Sequence, residues 1–124
     1  MKSTSEMLAI IESKLPLQAK EVHWVEPNLF IKTDSFNLNT ISPWRLTFNG
    51  MFVTGSDDES AEIITNLISG TNIDRCFSQS ETVKFDPNFQ FSNGYALEIF
   101  SCSALEPWTL SVTDVGFYAA SPSE

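Results

Sequence analysis

Trp44-Arg45-Leu46-Thr47-Phe48-Asn49-Gly50-Met51-Phe52-Val53 carries the clearest structural pattern in the chain. Trp44, Leu46 and Phe48 alternate with Arg45 and Thr47, and a second apolar run follows Asn49-Gly50 at once. Asn-Gly between two such runs is the strongest short-range hairpin signal, because a tight turn needs positive φ at both central residues. The same chemistry returns where Phe89 and Phe91 precede Asn93-Gly94 and Leu97, Ile99 and Phe100 follow it. Two Asn-Gly hairpins predict an antiparallel sheet.

Working outward, Ser3 and Glu6 have the spacing of a capping box, and Met7, Leu8, Ile11 and Leu15 recur at three- and four-residue intervals. This predicts an amphipathic helix over 4–14, stopped before Pro16 because a residue preceding proline disfavours helical backbone. Between the two hairpins, Ser56 and Glu59 suggest a second capping box. Ala61, Ile64, Leu67 and Ile68 supply an apolar stripe, and Gly70 supplies a stop. A second helix over 57–69 follows. Val22–Val25 and Leu29–Thr33 read as strands joined at Pro27-Asn28, and further strands are expected at 73–77, 83–85 and 108–112. The polar, Asn- and Ser-rich stretch 34–43 reads as a long loop, and 119–124 as a frayed tail. Pro43-Trp44-Arg45-Leu46-Thr47 echoes Pro107-Trp108-Thr109-Leu110-Ser111, but two short strands after proline match without any repeat. The fold class is therefore α+β: a mainly antiparallel twisted sheet with two helices, about 4–14 and 57–69, on one face, in a single domain of 124 residues.

With 42% hydrophobic residues, including 10 Phe and 3 Trp, the chain can build a real core. Its formal charge is −9, a balance that repels phosphate backbones and anionic lipid, so neither nucleic acid nor a membrane is an expected partner. No stretch reaches the ~20 apolar residues of a membrane span, and no secretory signal is recognisable near Met1, so a cytoplasmic location is expected. Cys76 and Cys102 fit reduced thiols in such a compartment. With His23 the only histidine and no Cys-x-x-Cys pair, neither a metal site nor any other cofactor is expected.

The charge is unevenly placed. Residues 1–56 hold five acids and five bases, whereas 57–124 hold eleven acids against Arg75 and Lys84 alone. Asp57-Asp58-Glu59 with Glu62 is the densest cluster. Carboxylates in a first helical turn complement the helix dipole, which is one reading. A calcium loop is another, though the alternating ligands and central glycine of an EF-hand are missing. A recognition patch for a basic partner is the third, and the one-sided charge favours it. His23 has no recognisable nucleophile or orienting acid, no serine sits in a Gly-x-Ser-x-Gly elbow, and Gly55-Ser56 lacks the phosphate-loop pattern. Paired carboxylates could serve glycoside chemistry, but Asp58 and Glu62 are read on an exposed helix face. No enzymatic activity is expected.

The segments Pro43-Trp44-Arg45-Leu46, Gly55-Ser56-Asp57-Asp58, Leu67-Ile68-Ser69-Gly70, Phe91-Ser92-Asn93-Gly94, Leu97-Glu98-Ile99-Phe100 and Trp108 carry a resemblance. Over residues 43–112 the chain resembles a group of small bacterial proteins with a Trp-Arg-Leu strand, a Gly-Ser-Asp helix start and a Phe-x-x-Gly hairpin. Some of these are regarded as immunity proteins of toxin systems. The resemblance implies a protein that binds and neutralises a cognate toxin domain, and the charge implies that this partner is basic. Candidate contact residues are Asp57, Asp58, Glu59, Glu62, Glu98, Glu106 and Asp114, standing in for the toxin's anionic substrate. A non-inhibitory interaction domain stays open beside it, as does a small-molecule binder or enzyme. The sequence leaves the oligomeric state open.

Overall fold

The computed structural model describes residues 4–78, 86–100, 108–112 and 116–119, the last two segments as backbone. Helix α1 (Thr4–Lys14) leads into β1 (Leu17–Gln18), β2 (Glu21–Val25), β3 (Asn28–Lys32), β4 (Phe36–Thr40), β5 (Trp44–Phe48) and β6 (Met51–Gly55). A single 3-10 turn (Ala61–Ile63) runs into α2 (Ile64–Ile68). Then come β7 (Asn72–Ser78), β8 (Pro87–Phe91), β9 (Tyr95–Ile99), β10 (Trp108–Val112) and β11 (Gly116–Ala119). The fold is α+β and every strand pairing is antiparallel, but the strands divide between two sheets. One has the order β1-β7-β8-β9-β5-β6 and the other β11-β10-β4-β3-β2.

The two sheets face each other across one core. Strand alternation turns Leu29, Ile31, Phe36 and Leu38 inward from the second sheet, and Leu46, Phe89, Leu97 and Ile99 inward from the first. Phe36 stacks on Phe89 with ring centroids 6.2 Å apart, and Trp24 meets Trp44 edge-on at 5.3 Å. Full burial of each such aliphatic or aromatic side chain contributes about 1.5–3 kcal/mol. Met7, Leu8 and Ile11 give α1 its buried face over β7. Its anchor is Glu12, whose carboxylate accepts from Arg75 Nε (2.6 Å) and from the backbone N–H of Cys76. Helix α2 packs on β2 in the other sheet.

The first Asn-Gly turn forms as its sequence demands, with φ of +49° at Asn49 and +84° at Gly50. At the second, only Gly94 is left-handed (φ +93°). Its N–H donates to Phe91 C=O at 3.2 Å, which makes a three-residue loop instead of a two-residue one. β2 and β3 are joined through Glu26-Pro27, whose peptide bond is cis, as is Leu15-Pro16.

Three expectations change. The stretch 34–43 is not a loop throughout, since it contains β4. Thr33 makes the turn, its Oγ1 accepting from the N–H of Ser35 and Phe36, and Phe36, Leu38 and Thr40 then alternate inward while Asn39 faces solvent. The second helix is not 57–69 but a 3-10 turn and five α-helical residues. Ser56 cannot cap it, because its Oγ accepts from Trp44 N–H (3.1 Å) while its own N–H donates to Trp44 C=O (3.0 Å). Asp58 instead holds Ser60, accepting from its N–H (3.0 Å) and its hydroxyl (2.9 Å), so 56–60 is a loop. Gly70 (φ +81°) ends α2 as expected. Ser3, the expected strand 83–85, Cys102 and residues 120–124 lie outside the described residues.

Candidate functional site: an acidic cleft beside Trp24

The loop 56–60 leaves the end of β6 in one sheet, and the β2–β3 turn lies at the end of the other. Where they meet, Trp24, Glu26, Ser56, Asp57, Asp58, Glu59 and Glu62 line an open depression of about 400 Å³. The Trp24–Trp44 contact joins the two sides. Gly55 allows the loop to leave at this angle, since a Cβ there would stand 2.9 Å from Trp44 C=O. Ser60 ties the loop down: its hydroxyl donates to Asp58, and Thr54 Oγ1, buried in the core, lies 3.2 Å from Ser60 Oγ. The Ser60 backbone N–H, and then its hydroxyl, hold the Asp58 carboxyl below the usual carboxylate range.

Five carboxylates thus share one solvent-filled depression, and no Lys, Arg or His among the described residues forms an ion pair with any of them. Four of the five described Lys and Arg are used elsewhere: Lys20 pairs with Asp34 (2.6 Å), Lys32 with Glu21 (3.7 Å), Arg45 with Glu98 (2.8 Å) and Arg75 with Glu12 (2.6 Å). An apolar trough of about 340 Å³ adjoins the cleft. Pro43, Trp44, Phe52 and Phe100 line it, and it shares Ser56, Asp57 and Asp58 with the acidic side. Among the described residues, no three His, Cys, Asp or Glu side chains are grouped so as to hold a metal ion, the acidic cluster included. Spread around a depression, these carboxylates can instead receive several separate cations.

Of the seven candidate contact residues, Asp57, Asp58, Glu59 and Glu62 come together here. Glu98 does not: it lies on the outer face of the six-stranded sheet with Arg45, Thr47, Asn88 and Gln90, around a depression of about 440 Å³. That one is larger, but Arg45 neutralises its acid, and the same guanidinium lies over the Phe100 ring at 5.2 Å. Glu106 and Asp114 fall outside the described residues. Glu26, Trp24 and Phe52 were missed by sequence reasoning. Glu26 stands next to the expected Pro27-Asn28 turn, but nothing local ties it to residues 57–62.

His23 lies on the outer face of the five-stranded sheet, its Nε2 3.2 Å from Glu21 Oε1 and its ring stacked on Phe30. This contact first, and Lys32 second, lower the Glu21 carboxyl from its ordinary range. Cys76 is 2% exposed, and burial, helped by the Glu12 charge, pushes its thiol far up. Among the described residues no helix is long and apolar enough to cross a membrane. No protein family, curated protein or solved structure matches the chain.

Proposed function

We propose that this chain is an immunity-type protein that binds a basic toxin domain in the cytoplasm and neutralises it by steric and electrostatic blocking. The observation that carries this reading is the set of five carboxylates in one cleft, in ion pairs with no cation among the described residues, next to an apolar trough. A protein gains nothing in folding from concentrating like charge without cations, whereas a partner rich in Lys and Arg is steered toward such a cleft and held in register there. Trp24 offers an arginine or lysine a ring face at the same place, and Phe52 offers the partner an apolar anchor. The mechanism needs occupancy alone: carboxylates that occupy the toxin's cationic groups keep its anionic substrate away.

The test is capture from the native host with the tagged chain. The expected result is one basic protein that is retained less as salt rises, is lost with Asp58→Lys/Glu62→Lys, and arrests growth when expressed without this chain. A captured protein that is harmless alone would favour a non-inhibitory interaction domain. Retention indifferent to salt and to charge reversal would move the interface away from the cleft.

A further inference from the structure

Beyond the charge of the partner, the fold specifies the form in which it binds. β6 closes one side of the six-stranded sheet, with β5 as its neighbour and no described strand beyond it. In a two-residue hairpin the closing pair, here Phe48 and Met51, exchanges both backbone bonds, which turns the N–H and C=O of Phe52 away from β5. Edges of this kind are ordinarily protected by lysine, proline, an inward charge or a bulge. Only the bulge is present: residues 48–56 carry no charge and no proline, in a chain of net charge −9. Met51 is 74% exposed and Phe52 60%. Phe52 lines both the trough and the depression on the outer sheet face, so it stands where the two meet. Val53 is the one extra residue, facing no partner on β5, and such a bulge bends the strand. Immediately past Gly55 the chain enters the acidic loop.

We infer that the partner binds by adding an extended strand to the edge of β6, antiparallel like every described pairing, with basic residues at its N-terminal end lying in the acidic cleft. At about 3.3 Å per residue, a segment of roughly eight residues reaches from Met51 to the cleft. Backbone bonds to β6 supply the register, alternate apolar side chains meet Phe52 on the outer face, and the leading cations meet Asp57, Asp58 and Glu62. This inference rests on the cleft being the partner site. Charge argues against a second copy as the occupant, because a second copy would bring nine more negative charges and no cationic segment to the cleft.

The probe is a fluorescein-labelled peptide, Lys-Arg-Lys-Thr-Val-Thr-Ile-Thr, read by anisotropy against the whole chain. Two further versions carry N-methyl groups on one or the other alternate set of amides in the Thr-Val-Thr-Ile-Thr part. The expected result is binding that falls at least tenfold for one methylated set and not for the other, because only one set faces β6. Asp58→Lys/Glu62→Lys should weaken the unmodified probe by at least tenfold. If the unmodified probe does not bind, or both methylated sets bind alike, strand addition is overturned. With the second result, loss on charge reversal alone would leave the acidic-cleft reading standing. Discrimination between the sets without any effect of charge reversal would sink the cleft reading and, with it, this inference. A dimer seen by light scattering that excess probe does not dissociate, and that Phe52→Asp does, would assign the edge to a second copy.

Discussion

Glu12, Glu21, Asp34 and Glu98 each meet a cation within 3.7 Å, whereas Glu26, Asp57, Asp58, Glu59 and Glu62 share a depression and meet none among the described residues. The chemical group is the same and its use is opposite. The first set joins elements, helix α1 to β7 and β5 to β9 across long stretches of sequence and the neighbouring β2 to β3. The second set joins no separate elements, its one bonded member being Asp58 with Ser60 two residues on, so its removal should cost the fold little and cost a partner much. Function, on this view, is found where charge is left over after the fold has used what it needs.

Stability measurements can break that contrast. Glu12→Ala should lower stability by about 2 kcal/mol in urea melts, since it strips Arg75 of its partner and leaves the Cys76 N–H beside a buried residue without an acceptor. A loss below a few tenths would mean that α1 is held by its apolar face alone. Next to it, the Cys76 thiol gives a pH effect. Burial raises its folded pKa above the ordinary 9.0, so the stability it adds is complete below pH 9 and is lost as pH rises above it, by about 1.4 kcal/mol per pH unit. Cys76→Ala should be less stable at pH 7 but show a shallower decline between pH 9 and 10, and equal slopes would place the thiol in contact with water. Glu98→Gln, which breaks a partly exposed pair with Arg45, should cost about 0.5–1 kcal/mol.

The cleft stands at the other end of the scale. Asp58→Lys/Glu62→Lys should move the urea midpoint little, because relief of repulsion offsets the lost Asp58–Ser60 bonds, and should slow association with the basic partner while flattening its salt dependence. A large loss of stability would show that these carboxylates serve the fold after all. His23→Gln should change least: the ring touches Glu21 and Phe30 on an open face, so both the melting temperature and partner capture should survive. A folded variant that loses capture entirely would bring the enzyme reading forward.

Local signals were legible in the sequence and distant ones were not. Asn49-Gly50 announced its hairpin because the constraint lies in two adjacent residues, and 4–14 announced its helix because one face supplies the pattern. β4 was hidden under its asparagines, although Phe36-x-Leu38-x-Thr40 carried the alternation. The second helix was overextended because Ser56 and Glu59 have capping-box spacing, while the competing partner of Ser56, the Trp44 backbone, lies twelve residues upstream. The division into two sheets is a property of pairing order, which no window of sequence displays. At the site, 57–62 could be read as a cluster because its members are consecutive. Glu26 and Trp24 join it only through packing of Trp24 on Trp44 across the sheets.

The place of β1 in the six-stranded sheet has a consequence for how the molecule is made. Leu17-Gln18 pairs with Ile73 and Asn72, and Glu12 waits for Arg75 and Cys76, so α1 and β1 lack these partners until some sixty residues more have been synthesised. At about 5–20 residues per second, that is an interval of several seconds. β2, β3 and β4 need no such wait, since each pairs with the next in order. The second sheet therefore begins to assemble around a nascent hairpin, and α1 is the element left for a chaperone to shield.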